Sequence, residues 1–373
     1  MKVVTVMTTS SLGGAEFAAV ELLDALAERG HQAIMVTDEP AIVRDTAVEV
    51  RQIDLGPKLS RSSWRSLAAR WPALRRQFHR ALEAEWPYDV LLVHYKKEQL
   101  LAAGLPARLR PGLTWAEWGP VPFELRRGLP RSLFLRAAHK AAEVFAVSAG
   151  TKESLEKVGV PPDRIHVVPN AMRTDEIRFS SEGRSRVRDR LGIPDDAFVV
   201  GCISRFHPKK RNDVVIDAVG GLDHDAHLVL AGGGETEQQL RERAASLGSR
   251  AHFIPTPGAQ VGEVLSAFDV SVFCPSPTEG APRAVILGML AERPTLATGA
   301  EGVDDLLSDE IGGIVSPEND PDALARRLRP YVDDFDRRQR EGRLARERAV
   351  ERFDRGVVAE QAEGLLAAAG RRR

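Results

Sequence analysis

The stretch Cys274-Pro275-Ser276-Pro277-Thr278-Glu279-Gly280-Ala281-Pro282-Arg283-Ala284-Val285 decides the fold of this chain. It follows an apolar, strand-like run at 270–273 and precedes a helix-like run at 286–291. Backbone N–H groups at a helix start lack partners within the helix and carry the positive end of its dipole, so they stabilise phosphate. The carboxylate of Glu279 is suited to accept hydrogen bonds from hydroxyls. The stretch therefore predicts a ligand that combines phosphate with a polyol, such as a nucleotide sugar.

The same alternation of strand and helix occurs twice along the chain. Near the N-terminus an apolar strand, a glycine-containing turn, a helix and a second strand occupy 3–7, 10–14, 15–29 and 33–37. A second series of strand, helix and strand occupies 198–204, 213–219 and 228–231. A β-α-β unit of this kind opens a doubly wound parallel sheet. The sequence therefore predicts an α/β protein with two such domains.

We place the N-terminal domain at 1–175 and the C-terminal domain at 176–354, each Rossmann-like. The polar, charge-rich interval 173–190 is interpreted as the linker between them. The remaining residues, 355–373, are expected to form a helix that packs back on the N-terminal domain.

The composition limits the classes of protein to which the chain can belong. The 373 residues are 43% hydrophobic and 28% charged, as in a globular protein, and the net charge of −1 argues against binding nucleic acid by bulk electrostatics. Cys202 and Cys274 lie in apolar runs and predict buried thiols rather than a disulfide framework. Residues 1–7 read as a first strand rather than a signal peptide, and no apolar run is long enough to span a bilayer. We therefore expect a cytoplasmic protein.

In combination these motifs resemble retaining glycosyltransferase family 4, which has the GT-B fold. Its signature is Pro-Ser, a short gap, Glu-Gly, a small loop and a second Glu in a Glu-Ala-Met helix. Pro275-Ser276 and Glu279-Gly280 match, whereas Leu287-Gly288-Met289 replaces Glu-Ala-Met. The resemblance covers nearly the whole chain and is strongest at 201–315. It implies two Rossmann-like domains facing a cleft, with the sugar donor on the C-terminal domain and the acceptor on the N-terminal domain.

The resemblance also implies site residues for the donor. Arg205 and Lys210 match positions that neutralise the donor diphosphate, and Glu279 matches the carboxylate beside the transferred sugar. These three are the predicted catalytic residues. The predicted donor-binding residues are Gly14, Gly232, Gly233, Glu235, Gly280, Ala281, Pro282, Arg283 and Ala284.

Leu287 marks a departure from the family. The family's second Glu commonly contacts the nucleotide ribose, a contact that leucine cannot make. Asp304 or Asp305 could compensate, although Asp305 more simply matches the Glu of the family's Gly-Val-Pro-Glu-Leu turn.

Four residues are the predicted acceptor contacts. Glu16 ends a Gly-Gly-Ala-Glu turn that resembles the family's, and His94 follows a strand at 89–93. Where many relatives have His-Gly, this chain has Trp118-Gly119, preceded by Glu117. Glu117 could contact the acceptor and Trp118 could stack on a sugar ring, while packing, or for His94 a satisfied core histidine, is the alternative for each.

Two further segments require interpretation. Asp223-His224-Asp225 spells an Asp-x-Asp, but it precedes a strand and lacks the context of a metal site, so we assign no metal. The segment 61–80 mixes arginines with Trp64, Trp71, leucines and Phe78. That mixture is typical of peripheral contact with the inner face of a membrane, or of an acidic-acceptor site or a simple core cover. Pro72 is expected to interrupt its helix.

The predicted function is that of a retaining glycosyltransferase, a hexosyltransferase that moves a sugar from a nucleotide-diphosphate sugar, most simply a UDP-sugar. The acceptor would be a hydroxyl of a glycan, lipid or small molecule, and no metal or cofactor is needed. In this front-face reaction the departing phosphate takes the acceptor proton. Two alternatives stay open: a catalytically silent relative that binds sugar or a partner enzyme, and a nucleotide-sugar epimerase.

Overall fold

A computed structural model describes residues 1–8, 13–43, 46–222, 225–256, 258–276, 279–300 and 302–371. The chain divides into two compact units. The N unit comprises Met1–Met172 together with Arg355–Arg373, and the C unit comprises Arg173–Asp354.

Each unit contains one sheet, and the strands are short, apolar and largely buried. In the N unit they are β1 (Lys2–Val6), β2 (Gln32–Thr37), β3 (Glu49–Gln52), β4 (Val90–Val93), β5 (Thr114–Glu117), β6 (Glu143–Ala146) and β7 (Ile165–Val167). In the C unit they are β8 (Val199–Ile203), β9 (His227–Ala231), β10 (Ala251–Ile254), β11 (Val270–Phe273), β12 (Thr295–Thr298) and β13 (Gly312–Val315).

Helices connect the strands. The N unit contains α1 (Gly14–Glu28), α2 (Trp64–Ala84), α3 (Lys96–Ala103), α4 (Gly128–Ala138) and α5 (Ala149–Val158). The C unit contains α6 (Ser181–Leu191), α7 (Asn212–Gly220), α8 (Glu237–Arg243), α9 (Val261–Ser266), α10 (Arg283–Leu290), α11 (Pro321–Val332) and α12 (Phe335–Phe353), and α13 (Arg355–Arg371) belongs again to the N unit.

The strand order creates one reversal in each sheet. The N-unit order is β3-β2-β1-β4-β5-β6-β7 and the C-unit order is β10-β9-β8-β11-β12-β13, with every pair parallel. The order therefore changes direction between β1 and β4, and again between β8 and β11. Ligands of open α/β sheets bind beyond the carboxyl ends of the strands at such points. The predicted α/β class with two Rossmann-like sheets is confirmed.

The core lies on both faces of each sheet, because parallel strands are covered by helices on either side. Along β1, Val4 and Val6 pack with Leu74 and Phe78 of α2, whereas Val3 belongs to a separate cluster that contains α1 and α13. Alternate side chains of one strand thus serve opposite faces.

Helix α13 packs against α1 within the N unit. Its Val358, Ala359 and Leu366 are buried in the same cluster as the apolar residues of α1. The Arg355 guanidinium contacts Asp24 at 3.0 Å and Glu28 at 2.9 Å. The C-terminal segment therefore completes the face of the N-unit sheet that α1 covers.

The linker interpretation is wrong for most of 173–190, because α6 begins at Ser181 and lies in the C unit. Ser180 caps this helix by accepting a hydrogen bond from the Gly183 N–H at 3.0 Å. Arg188 is fully buried, where it donates to several backbone carbonyls and pairs with Asp269 at 2.9 Å. A charge-rich sequence can thus be internal when its guanidinium groups satisfy buried carbonyls.

Pro72 does not interrupt its helix, so that prediction is also wrong. Helix α2 runs from Trp64 to Ala84 with Pro72 inside it. A proline costs the helix one backbone hydrogen bond. Burial of Leu67, Leu74, Phe78 and Leu82 along one face compensates for that loss.

Both cysteines are free and buried, as predicted. Burial raises the pKa of the Cys202 thiol to about 12 and raises that of Cys274 as well. Both thiols therefore stay protonated at neutral pH and act as small apolar side chains. Among the described residues, none of the helices combines the length and the apolar character that crossing a bilayer requires.

Candidate functional site

The predicted catalytic residues of the C unit follow the two strands that flank its reversal. Arg205 and Lys210 come after β8, and Glu279 comes after β11. We call the residues that follow β8, β9, β11 and β12 the C-unit edge. The topology thus brings Glu279, which is 69 residues from Lys210 in sequence, to the same place as Lys210 and Arg205, where a doubly wound sheet binds ligands.

Lys210 and Glu279 are in direct contact. The Lys210 ammonium donates to Glu279 Oε1 at 2.6 Å, and the two side chains are 20% and 24% exposed. The same ammonium lies 5.1 Å from the centroid of the Phe273 ring. The Ser276 N–H also donates to the Lys209 carbonyl at 2.8 Å, which fastens the loop after β11 to the turn that carries Lys210. The two predicted residues, whose contact was not predicted, are therefore held together by both backbone and side-chain contacts.

Arg205 differs from Lys210 because its side chain is exposed. Within the described part of the chain, no carboxylate lies within ion-pair distance of its guanidinium. Of the two predicted diphosphate-binding cations, Lys210 is already neutralised by Glu279, whereas Arg205 can accept an anion without breaking an ion pair.

The glycines after β9 have two different roles. A Cβ atom at Gly232 would lie 1.9 Å from the Ser204 carbonyl oxygen, and one at Gly234 would lie 2.3 Å from that of Phe206. At Gly233 the nearest atom would be Glu237 Oε2, at 4.0 Å. Gly232 and Gly234 therefore let this turn pack on the segment after β8, whereas Gly233 faces open space. The next residue, Glu235, is exposed, and its carboxylate lies 3.6 Å from His207 Nε2.

The loop that leads into α10 rests on another glycine. A Cβ atom at Gly302 would lie 1.1 Å from the Gly280 carbonyl oxygen, so the loops after β11 and β12 touch through their backbones. Pro282 precedes α10 and provides no side-chain cap. Helix α10 thus begins at Arg283, three residues before the predicted helical run at 286–291. The predicted donor-binding residues are the loop Gly280, Ala281 and Pro282 and the first two helical residues, Arg283 and Ala284, and the backbone of Gly302 packs against Gly280.

Leu287 lies one turn into α10, on the same partly exposed face as Arg283 and Ala284. Gly288 is on the opposite face, where an added Cβ would lie 2.7 Å from Thr295 Oγ1 and 2.8 Å from Ser271 Oγ. The glycine is therefore required by the close approach of α10 to β11 and β12. Asp304 is exposed and Asp305 half-buried, both after β12.

The predicted N-unit residues follow β1, β4 and β5, around the reversal of that sheet; we call this region the N-unit edge. Gly14 is the exposed first residue of α1, and Glu16, two residues further on, is buried. Its carboxylate accepts hydrogen bonds from the Tyr95 hydroxyl and from the Lys58 ammonium, the latter at 3.0 Å. Burial opposes ionisation of Glu16, but these two donors outweigh it and lower its pKa. Glu16 is thus an internally neutralised carboxylate.

His94 is buried, and both of its ring nitrogens are occupied. Its Nδ1 accepts the Trp118 indole N–H at 3.2 Å, so the ring proton lies on Nε2 and is donated to Thr5 Oγ1 at 2.8 Å. Burial lowers the His94 pKa to about 3, although the Glu16 carboxylate opposes the shift. The adjoining cavity measures about 20 Å³, room for roughly one water. His94 therefore orients Trp118 rather than facing a ligand.

Glu117 is also held internally. Both of its carboxylate oxygens accept hydrogen bonds from the Lys96 ammonium, and the bond to Oε2 is 2.5 Å long. Oε1 also accepts a hydrogen bond from the Gln99 side-chain amide at 3.0 Å. Lys96 is 17% exposed and Glu117 5%. The structure thus brings Glu16, His94, Glu117 and Trp118 to one edge, but three of them are buried in contacts within the unit.

Sequence reasoning missed a buried ion pair at this edge. Lys97 and Glu98 are both fully buried, 3.7 Å apart, and Lys97 also donates to the Gly56 carbonyl at 2.6 Å. Burial lowers the Lys97 pKa and raises the Glu98 pKa, while each charge opposes the shift of the other. The run Tyr95-Lys96-Lys97-Glu98-Gln99 resembles an ordinary solvated helix start. Its position directly after β4, beside the reversal, is the signal that could have identified it.

Asp223 and His224 of the Asp-x-Asp sequence lie outside the described residues. In the part of the chain that is described, no group of three or more His, Cys, Asp and Glu side chains forms a metal-binding arrangement.

Known proteins share this architecture. The family model for "Glycosyl transferases group 1" matches residues 183–348, and the model for "Glycosyltransferase Family 4" matches residues 12–176. D-inositol 3-phosphate glycosyltransferases of Xylanimonas cellulosilytica and Stackebrandtia nassauensis are 25% and 27% identical to the chain over 369 residues. Each match covers 89% of this chain, and they cover 86% and 82% of the two relatives.

Two solved structures have the same fold. Anabaena HepE in complex with UDP and glucose gives a TM-score of 0.81 at 20% identity, over 99% of this chain and 100% of HepE. Sucrose-phosphate synthase of Thermosynechococcus elongatus gives 0.81 at 18% identity, over 98% of each chain. The likeness to these two structures shows the GT-B fold. The two family models, one over each half of the chain, show that it belongs to the family 4 glycosyltransferases. The predicted family, fold and enzyme class are confirmed.

Proposed function

We propose that this glycosyltransferase transfers a sugar from a nucleotide-diphosphate sugar, with UDP-sugars as the first candidates, and retains the configuration at the anomeric carbon. The observation that carries the proposal is the 2.6 Å contact between Lys210 and Glu279 at the reversal of the C-unit sheet. It joins a cation suited to diphosphate with a carboxylate suited to sugar hydroxyls. The structures of HepE in complex with UDP and glucose and with UDP-glucose support the choice of donor.

In the proposed reaction the bond between the anomeric carbon and the diphosphate oxygen breaks, and a bond to the acceptor oxygen forms on the same face. The acceptor proton passes to the departing phosphate oxygen, so no side chain is needed as the base. Arg205 and Lys210 stabilise the charge that develops on the leaving diphosphate. Since two cations and the start of α10 serve this charge, the reaction proceeds without a metal or a cofactor.

The acceptor side of the proposal rests on the N-unit edge. Trp118 is partly exposed and is held by His94, which favours stacking of its indole against a sugar or cyclitol ring. His94 is neutral at physiological pH, and its Nε2–H is donated to Thr5, so it positions Trp118 and does not act as a base. Glu16 and Glu117 are buried and hydrogen-bonded within the unit, so in this proposal they fix the shape of the edge, and Trp118 makes the contact with the glycan, lipid or small molecule.

The central experiment has two parts. Thermal shift against UDP, GDP, ADP, TDP and CMP identifies the base, because a ligand that binds only the folded state raises its stability. The matching sugar donors are then offered with candidate acceptors, and the anomeric coupling of the first product is read by NMR. Product of unchanged anomeric configuration supports the proposal, and inverted product contradicts it. Donor conversion without any acceptor indicates an epimerase.

Leu287 favours one alternative, a silent relative that binds sugar without transferring it. The face of α10 where the family places a second carboxylate carries a leucine instead. Stabilisation by a nucleotide in the panel above, followed by no transfer to any acceptor, would favour that alternative.

The proposal includes peripheral contact with the inner face of the cell membrane through 61–80. Helix α2 carries five arginines and one acidic residue, Glu83, which pairs with Arg108 and His79. Among the described residues, none of these five guanidinium groups has a carboxylate partner, and all five are exposed. Trp64, at the start of the helix, is 52% exposed. Unpaired arginines beside an exposed indole are suited to an anionic lipid surface.

Vesicle sedimentation tests this contact. The chain is expected to bind phosphatidylcholine vesicles containing phosphatidylglycerol and to leave them at high salt. Arg76→Gln with Arg80→Gln should weaken binding several-fold. Arg340→Gln with Arg343→Gln, which removes the same charge from α12, is the control and should not. Equal loss in both variants would contradict a specific surface.

A further inference from the structure

The Lys210–Glu279 pair has a consequence for what the C-unit edge binds best. The ammonium that would hold a diphosphate is already in contact with a carboxylate, at 2.6 Å. Phe273 contacts the same ammonium through its ring, and the loop of Glu279 is fastened to Lys209 by the backbone. The carboxylate is therefore held beside the cation and is not a passing contact of two mobile side chains.

A bare diphosphate that approaches Lys210 must displace this carboxylate. Glu279 then loses its cation and stays close to the incoming negative charge, which weakens binding. Among the described residues, Lys210 is the ion-pair partner of Glu279, and no other cation lies within ion-pair distance of that carboxylate. Arg205, which has no carboxylate near it, still attracts the anion.

A diphosphate that carries a sugar behaves differently. Its hydroxyl groups replace Lys210 as hydrogen-bond donors to Glu279, so the carboxylate keeps partners when the ammonium moves to the phosphates. The exchange satisfies both members of the pair. The same two residues thus favour the donor over its own leaving group.

We propose, on the basis of the proposed function, that Glu279 acts as a specificity residue that discriminates the sugar donor from the free nucleoside diphosphate by competing with the latter for Lys210. The discrimination promotes release of the nucleoside diphosphate after transfer and limits inhibition by it.

Calorimetric titration of three probes tests the proposal: inorganic pyrophosphate, UDP and UDP-glucose. Glu279→Gln keeps the shape and removes the charge, so pyrophosphate and UDP should bind about tenfold tighter than to the wild type. UDP-glucose should gain less, or bind more weakly, so the preference for donor over UDP falls. Pyrophosphate carries no base, and its result is independent of which nucleotide the enzyme prefers.

Glu263→Gln is the matched control, because it breaks an ion pair of similar length, to Arg186 at 2.7 Å, elsewhere in the C unit. It should leave all three affinities unchanged. Glu279→Ala provides a second test if the glutamine variant is poorly folded, and thermal unfolding verifies both. Unchanged or weaker binding of pyrophosphate and UDP to the Glu279 variants overturns the inference. If the wild type still binds these ligands in that case, the proposed function is unaffected. If neither pyrophosphate nor any nucleoside diphosphate binds wild type or variants, both are overturned.

Discussion

The C-unit edge and the N-unit edge occupy equivalent places, at the reversal of a parallel sheet, yet they treat charge in opposite ways. At the C-unit edge Lys210 and Glu279 are each about a fifth to a quarter exposed, and Arg205 has no carboxylate partner in the described chain. At the N-unit edge Glu16, Glu117, Lys97 and Glu98 are nearly or fully buried in internal contacts. The comparison teaches that the first edge has charges ready to exchange partners, and the second has charges that fix its shape.

The largest expected effect is on catalysis at the C-unit edge. Glu279→Ala should lower the rate of transfer by about 10²–10³-fold, because it removes a preorganised polar contact to the transferred sugar. The melting temperature should stay near that of the wild type, since the pair it breaks is partly exposed. Single-turnover rates and a thermal melt measure both. Undiminished transfer would contradict the role of Glu279.

The next effect belongs to the N-unit edge. Lys97→Met leaves the buried carboxylate of Glu98 without its cation and should lower the free energy of unfolding by about 3–5 kcal/mol. Denaturant titration measures it. Adding Glu98→Gln should recover part of the loss, because the uncompensated charge is gone. A Lys97→Met protein as stable as the wild type would show that this edge is not held by its buried charges.

Neighbouring glycines at the C-unit edge offer a matched pair. Gly232→Ala places a Cβ 1.9 Å from the Ser204 carbonyl oxygen and should destabilise the C unit by about 1–3 kcal/mol. Gly233→Ala meets no atom closer than 4.0 Å and should change stability by less than about 0.5 kcal/mol. Chemical denaturation compares the two. Equal losses would contradict the close packing of the turn on the segment after β8.

The smallest effect is a pH dependence. The pKa of Glu16 is lowered in the fold, so its ionised form contributes stability above its unfolded pKa of about 4.5, and that contribution is lost as pH falls through the folded value. Glu16→Gln should therefore be less stable than the wild type by about 1–2 kcal/mol at pH 7. The gap should begin to shrink below the unfolded pKa and close as the pH falls through the lower folded pKa. A gap that widens in acid would contradict the ion pair with Lys58.

Sequence predicted the C-unit edge better than the N-unit edge, for a physical reason. Lys210 and Glu279 are 69 residues apart and were both identified from motifs, because a phosphate-binding turn needs particular glycines and charges at fixed spacing. Alternating apolar runs with glycine turns were also sufficient for the α/β class. The contact between Gly280 and Gly302 was not predictable, since it depends on how two loops meet in space.

The burial of charged side chains is the feature of this fold that is hardest to predict from the sequence. Three buried charged residues occur in polar runs that are typical of a solvated surface: Lys97, Glu98 and Arg188. The carbonyls and counter-charges that offset the desolvation of these groups are supplied by the tertiary structure and are not visible in the local sequence. Pro72 was misread for a related reason: the apolar face of α2 that outweighs the lost hydrogen bond is a property of packing. Rules based on the neighbouring residues in sequence describe the intrinsic preferences of these residues but do not include the tertiary contacts around them.

Binding of a nucleoside diphosphate to wild type and to Arg205→Ala, measured by calorimetry, tests the central claim most directly. Arg205 is the exposed member of the two predicted diphosphate-binding cations, and its removal leaves the other, Lys210, paired with Glu279. The account predicts that one of UDP, GDP, ADP or TDP binds the wild type and that Arg205→Ala weakens it by about tenfold or more. Equal affinity in the two proteins would contradict the claim that this edge holds the donor diphosphate.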